Sequence, residues 1–244
     1  MDNVLVTGAS RGIGLAIAIR LAASGYRVVA AARRPGVGLD AAIAECRQSG
    51  VGALEFVACD LAEIDAIPEF VRNMRREIGP IYGLVNNAGI GTSGLLGNMA
   101  NADIEAVLRL NTLSPIVLTK YVVRGMMAQG RGRVVNMSSI IASTGYNALS
   151  VYGASKASMV GFTKSLAREV GRLGITVNAI APGYIDTEMT AEMDATQRQR
   201  IADRSAVRRL AGVSDIAAMA EFLLGESGRN ISGAVMTVDA GATA

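Results

Sequence analysis

Short apolar segments alternate with longer amphipathic segments along almost the whole chain. The apolar segments predict seven β-strands, at residues 4–7, 27–32, 53–59, 83–86, 133–138, 175–181 and 234–238. The segments between them carry apolar residues at helical spacing. They predict six α-helices, at residues 12–23, 39–49, 64–78, 101–129, 151–172 and 214–224. Strand and helix therefore alternate along the sequence.

The predicted strands are nearly continuous runs of Val, Ile and Ala, which is typical of strands covered on both faces. Repeated right-handed strand-helix-strand crossovers give a doubly wound parallel sheet. No linker or repeat interrupts the 244 residues. We therefore expect an α/β fold: a single Rossmann-type domain over residues 1–244, with helices on both faces of about seven parallel strands. The polar, irregular segment at 184–207 is predicted to be a substrate lid.

Composition narrows the possible functions. The chain has 24 Lys and Arg against 21 Asp and Glu and contains no long run of like charge, so nucleic acid is not an expected partner. Lys120 and Arg124 interrupt the longest apolar stretch, and no membrane span is expected. The two cysteines and the absence of a leader-like start favour a reducing, cytoplasmic location.

Histidine is absent from the sequence. This excludes histidine acid-base chemistry and a Cys/His zinc site, because both need an imidazole. No carboxylate cluster with metal-ligand spacing appears either. We therefore expect no metal.

A glycine-rich loop joins the first predicted strand to the first helix. Its sequence, TGASRGIG at residues 7–14, allows a tight turn and lets backbone N–H groups at a helix N-terminus approach a pyrophosphate. The alternative is glycine punctuation for packing alone. The residues expected to contact the dinucleotide here are Gly8, Ser10, Arg11, Gly12, Ile13 and Gly14.

The end of the second strand indicates which dinucleotide binds. Sheets that prefer NAD place an acidic residue there to bind the ribose hydroxyls, but this chain has Ala32 followed by Arg33 and Arg34. Guanidinium groups suit a 2′-phosphate, and Arg11 lies in the neighbouring loop. The sequence therefore predicts NADP(H) rather than NAD(H), with Arg33 as a cofactor ligand. The alternative is that these arginines are solvated charges at a strand end.

Tyr152 and Lys156 stand four residues apart in a predicted helix, which places a phenol and an ammonium on one face. A nearby cation lowers the pKa of a phenol, and such a phenol could protonate a developing alkoxide. A tyrosine packed along a lysine stem is the structural alternative for this spacing.

Together, these motifs resemble the short-chain dehydrogenase/reductase family over essentially the whole chain. Within it, the stretches GRVVNMSS, NNAGI and SLAREVGRLGITVNAIAPGYIDTEMT look most similar to bacterial 3-oxoacyl-[acyl-carrier-protein] reductases. The motifs that carry the resemblance are TGASRGIG at 7–14, Asp60-Leu61, Asn86-Asn87-Ala88-Gly89, Asn111, Ser139, Tyr152 with Lys156, and Pro182-Gly183.

The resemblance implies a catalytic role for four residues. Tyr152 would be the acid that protonates the carbonyl oxygen, and Ser139 would hold that oxygen. Lys156 would lower the pKa of Tyr152 and bind the nicotinamide ribose, whereas Ser138 would be a cap or turn residue. Asn111 would hold a water that feeds a proton relay through the lysine; a helix-interior Asn satisfied by local backbone is the alternative.

The resemblance also implies further cofactor contacts. Asn87, Ala88 and Gly89 would line the adenosine, and Asp60 and Leu61 would meet the adenine. The backbone of Ile185 and the side chain of Thr187 would orient the carboxamide, while Tyr152 and Lys156 would face the nicotinamide end.

The expected activity is NADPH-dependent reduction of a ketone, most similar to reduction of a 3-oxoacyl thioester. A sugar, a steroid, a polyketide or another small ketone remains an alternative substrate, and a catalytically silent dinucleotide sensor is an alternative function. The family implies a homotetramer. Acyl carrier protein as a partner is doubtful, because Gly130 and Leu173 stand where the closest subgroup has basic residues, with Arg131 and Arg172 adjacent. The loop at 91–98 and the lid would shape the pocket.

Overall fold

A computed structural model describes residues 1–185 and 195–244. Within them, seven strands form one parallel sheet in the order β3-β2-β1-β4-β5-β6-β7. This confirms the predicted Rossmann-type doubly wound sheet. The strands are β1 (Asn3–Thr7), β2 (Arg27–Ala32), β3 (Ala53–Ala58), β4 (Ile81–Asn86), β5 (Gly132–Met137), β6 (Ile175–Pro182) and β7 (Val235–Val238).

The helices lie close to their predicted positions, with two differences. The helix predicted at 101–129 contains a π-helical turn at Arg109–Leu113, and a helix that was not predicted lies at the end of the expected lid. The α-helices are α1 (Gly12–Ala23), α2 (Val37–Ser49), α3 (Ile67–Ile78), α4 (Asn101–Leu108), α5 (Ser114–Gln129), α6 (Ser150–Val170), α7 (Ala195–Arg204) and α8 (Val213–Leu224).

Helices cover both faces of the sheet. Val4 and Val6 of β1 pack in the core formed with α1, α2 and α8, whereas Leu5 packs in the core formed with α3, α5 and α6. Alternate residues of a strand point to opposite faces, so a strand buried on both sides needs an apolar residue at every position. All five residues of β1 are buried: the apolar run at 4–6 fills the two cores, and the polar end residues Asn3 and Thr7 donate hydrogen bonds to backbone carbonyls.

The strand order places the functional loops at one edge. β1 lies between β2 and β4, so the loops after β1 and β4 leave the sheet side by side at its carboxyl edge. Ligands of open α/β sheets bind at such a switch point. No helix among residues 1–185 and 195–244 is long and apolar enough to span a membrane.

Candidate active site

Three elements bring the four predicted catalytic residues to the carboxyl edge of the sheet. Ser139 follows β5 and begins the short 3-10 turn Ile140–Ala142, while Tyr152 and Lys156 lie in the first turns of α6. Asn111 occupies the π-helical turn between α4 and α5. Residues that lie between 4 and 45 positions apart in the chain therefore meet at one place.

Tyr152 and Ser139 are in direct contact. Burial raises the pKa of the Tyr152 phenol above its ordinary value, and a hydrogen bond with Ser139 acts in the opposite direction. Lys156 does not contribute to this pKa shift, although its Nζ lies 5.7 Å from the centre of the Tyr152 ring. The sequence predicts a lowered pKa for this phenol; in the protein alone the direction is the reverse, because burial outweighs the hydrogen bond.

Lys156 is buried with 7% of its surface exposed. Its Nζ donates a hydrogen bond to the backbone carbonyl of Met137, at 3.0 Å. Burial lowers the pKa of this ammonium to about 8, since a charge loses hydration inside the protein. The lysine is thus fixed at the end of β5 beside Tyr152, and its pKa is lowered towards neutral pH.

Asn111 is tied to a distant loop rather than to its own helix. Its Oδ1 accepts from the N–H of Ile90 at 2.8 Å, and its Nδ2 donates to the carbonyl of Ile90 at 2.9 Å. Nδ2 also donates to Ser155 Oγ at 3.1 Å. The contacts differ from the local-backbone alternative, because they are made to a backbone 21 residues away. They hold the loop after β4 against α6.

Gly89 lies between Asn111 and Lys156. A Cβ at Gly89 would stand 3.0 Å from Asn111 Oδ1 and 3.6 Å from Lys156 Nζ. Gly89 therefore lets the loop after β4 approach both polar side chains.

Two serines that were not predicted to be functional hold the site together. Ser138 Oγ donates to the carbonyl of Lys156 at 2.9 Å, which fixes α6 to the end of β5. Ser155 Oγ donates to the carbonyl of Tyr152 at 2.7 Å and accepts from Asn111. Ser138 was expected to act as a cap or turn residue, and nothing in the local sequence distinguishes Ser155 from other small helix residues.

A buried polar chain lies behind these residues. Asn86 of β4 donates to Asn136 of β5 at 2.8 Å, and Asn136 donates to Thr163 of α6 at 2.8 Å. Buried amides need such partners, because an unsatisfied polar group inside a protein is costly. These hydrogen bonds link β4 and β5 to α6.

The glycine loop is closely packed against the loop after β4. Gly8 has φ +64°, and a Cβ there would stand 2.8 Å from the Cα of Ala88; a Cβ at Gly14 would stand 2.3 Å from the Gly8 carbonyl. The Asn87 side chain donates to the carbonyls of Thr7 and Gly8. Only glycine fits at positions 8 and 14. The glycine loop and the loop after β4 therefore form one surface.

Thr7 completes this junction. Its Oγ1 accepts hydrogen bonds from the N–H groups of Asn87 and Ala88, each at 3.0 Å. Asn87 and Thr7 hold the glycine loop and the loop after β4 together. The side chain of Asn87 therefore has a structural role in addition to the predicted adenosine contact. Thr7 opens the TGASRGIG loop but was not among its predicted cofactor contacts.

The loop after β2 lies beside the glycine loop. A Cβ at Gly36 would stand 2.7 Å from the carbonyl of Ser10, so the segment that follows Arg33 and Arg34 touches the glycine loop. Both arginines are exposed, and neither forms an ion pair within the described residues. Arg11 immediately precedes α1.

The other predicted cofactor residues are distributed as follows. Asp60 is exposed, and its Oδ1 accepts from the N–H of Ala62 at 3.0 Å, while Leu61 packs into the core. Ile13 is partly buried against the opposite core. Ile185 is buried and forms a β-bridge with Ala211. Thr187 and the other residues of the expected lid between 186 and 194 lie outside the described residues.

These residues fit a dinucleotide. Helix α1 begins without a side-chain cap and without an acidic residue in its first turn, so its free N–H groups and dipole favour an anion. Two glycines whose Cβ atoms would collide with backbone keep this cradle open. The exposed arginines at the end of β2 suit a further phosphate. Lys156 and Tyr152 lie on the other side of the switch point from these arginines.

Comparisons with known proteins agree with this geometry. The family model for short chain dehydrogenase matches residues 2–198. The 3-oxoacyl-[acyl-carrier-protein] reductase FabG of Escherichia coli is 39% identical over 237 residues, covering 97% of this chain and 95% of that protein. The reductase MabA of Mycobacterium bovis is 34% identical, covering 98% of this chain and 92% of that protein.

Solved structures give the same result. A mutant of a Serratia marcescens short-chain dehydrogenase/reductase superposes with a TM-score of 0.92 at 32% identity, covering 100% of this chain and 98% of that chain. A Burkholderia cenocepacia short chain dehydrogenase in complex with NADP has a TM-score of 0.90 at 36% identity, with the same coverage. The chain therefore belongs to the short-chain dehydrogenase/reductase family of oxidoreductases.

Proposed function

We propose that this protein is an NADPH-dependent carbonyl reductase whose substrate is a 3-oxoacyl thioester. The observation that carries the proposal is the grouping of Ser139, Tyr152, Lys156 and Asn111 beside the glycine loop. The similarity to 3-oxoacyl-[acyl-carrier-protein] reductases and to an NADP complex supports it. A cytoplasmic homotetramer is the assembly and location we propose with this function.

The cofactor contacts follow from the loops at the switch point. The pyrophosphate would lie over Gly8, Gly12 and Gly14, and Arg33 with Arg11 would take the 2′-phosphate. Ser10 and Ile13 belong to the same loop. Asp60, Leu61 and residues 87–89 would surround the adenosine, and Ile185 would approach the carboxamide.

The chemistry requires a proton donor at the substrate oxygen. NADPH, when bound, supplies the hydride for the carbonyl carbon. Ser139 would hold the carbonyl oxygen by a hydrogen bond, and Tyr152 would protonate that oxygen as negative charge develops on it. The raised pKa of the phenol keeps Tyr152 protonated at neutral pH, as reduction requires.

Lys156 and Asn111 would support this proton transfer. Below pH about 8 the Lys156 ammonium is charged. It does not shift the pKa of Tyr152 in the protein alone, and we propose that it would stabilise the phenolate that remains after transfer once bound cofactor excludes water from the site. Asn111 fixes the backbone of Ile90 beside it. The proposed water-mediated relay would begin at this point.

Carrier-protein recognition would need a surface different from that of the 3-oxoacyl-[acyl-carrier-protein] reductases. Arg131, next to Gly130, forms an ion pair with Asp2 and stacks on Tyr82, with its Cζ 4.5 Å from the ring centre. Arg172 is exposed. Because Arg131 is already engaged, we propose the acyl thioester itself as the recognised unit.

The function is tested by following NADPH absorbance with an acetoacetyl thioester. We expect turnover by the wild type, and for Tyr152→Phe a loss of about 10²-fold or more in kcat with NADPH binding retained, because only the proton donor is removed. Tyr121→Phe is the matched control: Tyr121 is a half-buried tyrosine of α5, and this variant should keep its activity.

Two results would contradict the proposal. Turnover of other ketones but of no thioester would remove the substrate assignment, and equal rates for Tyr152→Phe and the wild type would remove the phenol from the mechanism.

A further inference from the structure

Large apolar and aromatic side chains remain exposed around the candidate active site. The exposed fractions are 59% for Leu95, 57% for Leu96, 53% for Tyr146 and 56% for Val207. Tyr184 is partly exposed next to Tyr146. We call these five residues the apolar rim. Single exposed apolar residues are ordinary, but a group of them at one place marks a binding surface.

Two members of the rim form an aromatic pair. The rings of Tyr146 and Tyr184 stand edge to face with their centres 6.2 Å apart, and their hydroxyls are hydrogen-bonded to each other. The pair joins the loop before α6 to the segment after β6. Since each hydroxyl has a protein partner, the pair offers mainly its ring surface to a ligand.

Backbone contacts hold the other members at the same edge. The N–H of Gly94 donates to the carbonyl of Ala148 at 2.9 Å, which fixes the turn carrying Leu95 and Leu96 to the loop of Tyr146. The N–H of Val207 donates to the carbonyl of Ala240 at 3.1 Å.

The turn at Ala240 connects Val207 with the rest of the rim. The preceding residue, Asp239, packs so closely on Gly183 that a Cβ there would stand 2.6 Å from the Asp239 Cβ. Gly183 directly precedes Tyr184. The apolar rim is therefore held together from four separate segments of the chain.

The rim is next to the reacting groups. Tyr146 lies seven residues after Ser139 and six before Tyr152, in the loop that joins them. Tyr184 follows β6, which pairs with β5 directly before Ser139. A carbonyl held by Ser139 and Tyr152 would therefore have its substituents close to the rim.

We infer that the apolar rim binds the hydrocarbon part of the substrate, so that the enzyme selects carbonyl compounds with an extended apolar chain. The inference rests on the proposed carbonyl reductase function and goes further by assigning chain selection to named residues. It disfavours a sugar, because hydroxyl groups placed against Tyr146, Leu95 and Leu96 would lose hydration without gaining partners.

The test compares acetoacetyl and 3-oxooctanoyl thioesters of N-acetylcysteamine with saturating NADPH. We expect the wild type to favour the longer chain about tenfold in kcat/KM, because part of its additional methylene groups leaves water. In Tyr146→Ala, and in Leu95→Ala with Leu96→Ala, this ratio should fall to about two or less. Val51→Ala is the control, since Val51 is 56% exposed and precedes β3 at the opposite edge.

A second measurement does not depend on turnover. The same thioesters are titrated by calorimetry against Tyr152→Phe loaded with NADP⁺, with and without the Tyr146→Ala change. Tighter binding of the longer chain that requires Tyr146 supports the inference. The inference is overturned if turnover or binding shows no chain-length preference. It is also overturned if the preference is unchanged in the rim variants. If no thioester is reduced, the proposed function fails, and the binding ratio still decides the role of the rim.

Discussion

At the scale of single residues, Lys156 shows how stability and activity oppose each other. No carboxylate among the described residues shifts the pKa of this ammonium; burial alone does so. An unpaired charge inside a protein is unfavourable. The hydrogen bond to the carbonyl of Met137 compensates only part of this cost. Lys156 is therefore a destabilising residue placed where the proposed chemistry needs it.

We predict that Lys156→Met stabilises the cofactor-free protein at pH 7 by about 2 kcal/mol, after allowance for the lost bond to Met137. The free energy of unfolding is measured by urea denaturation. The control is Lys164→Met on the exposed side of the same helix, which should change it by less than about 0.5 kcal/mol. Activity should be lost in Lys156→Met and kept in Lys164→Met. If Lys156→Met instead lowered the free energy of unfolding, the buried charge would be compensated by its protein surroundings.

The same residue predicts a pH dependence of stability. The pKa of Lys156 falls from 10.5 to about 8 on folding, so between these values the unfolded chain binds more protons than the folded one. Unfolding free energy then rises with pH in this range. The advantage of Lys156→Met should be largest below pH 8 and shrink towards pH 10.5, as urea titrations at several pH values would show. A constant difference would contradict the assigned pKa.

The sequence was informative about which residues meet but not about their environment. Helical spacing placed Tyr152 and Lys156 side by side, and the structure has them so. Their burial depends on β5, β6 and the loop after β4, which no local pattern reveals. The predicted direction of the Tyr152 pKa shift was therefore wrong. The role of Ser155 could not be found from the sequence.

At the scale of elements, periodicity predicted the strands and most helices because their apolar faces pack against one sheet. It did not predict the π-helical turn at Arg109–Leu113. This irregularity adds one residue to a turn without changing the apolar pattern much. Asn111 lies in it and is paired with Ile90, a contact that only the tertiary fold creates.

The turn after β7 is strained in this chain. Ala240 has φ +55°, a left-handed conformation that costs a residue with a Cβ about 1 kcal/mol or more. The Ala240 carbonyl accepts from Val207, and Asp239 caps the turn through the N–H of Gly241 at 2.9 Å. The surrounding hydrogen bonds hold Ala240 in a conformation that glycine would adopt freely.

We predict that Ala240→Gly raises the unfolding free energy by about 0.5 to 1 kcal/mol, since relief of the strain exceeds the added flexibility of the unfolded chain. Thermal denaturation gives the measurement, with a rise of about 2 °C. Ala41→Gly, at an exposed position inside α2, should lower the stability by about 1 kcal/mol. Equal changes in both variants would show that φ at Ala240 carries no strain.

At the scale of the whole molecule, the strand order creates the cofactor site. β1 has β2 on one side and β4 on the other, so the loops after these three strands meet around the N-terminus of α1. The close approach of Gly36 to Ser10 and of Gly8 to Ala88 fixes their relative positions. The alternation of elements predicted a doubly wound parallel sheet, whereas the strand order and the contacts between the loops needed the folded backbone.

The position of Arg33 leads to a prediction about cofactor choice. Arg33 is exposed and unpaired within the described residues, so a 2′-phosphate would gain a guanidinium partner without breaking an existing ion pair. We predict that Arg33→Asp weakens NADPH binding by about tenfold or more and leaves NADH binding equal or stronger, because the carboxylate repels the phosphate but accepts from ribose hydroxyls.

The ligand-induced rise in melting temperature measures this preference, since binding to the folded state stabilises it by RT ln(1 + [L]/Kd). In the wild type NADPH should raise the melting temperature more than NADH at equal concentration, and Arg33→Asp should remove or invert the difference. Arg47→Asp makes the same charge change at an exposed position of α2 and should leave it intact. An unchanged difference in Arg33→Asp would mean that Arg33 is a solvated charge and that NADP(H) selection depends on other residues of the switch point.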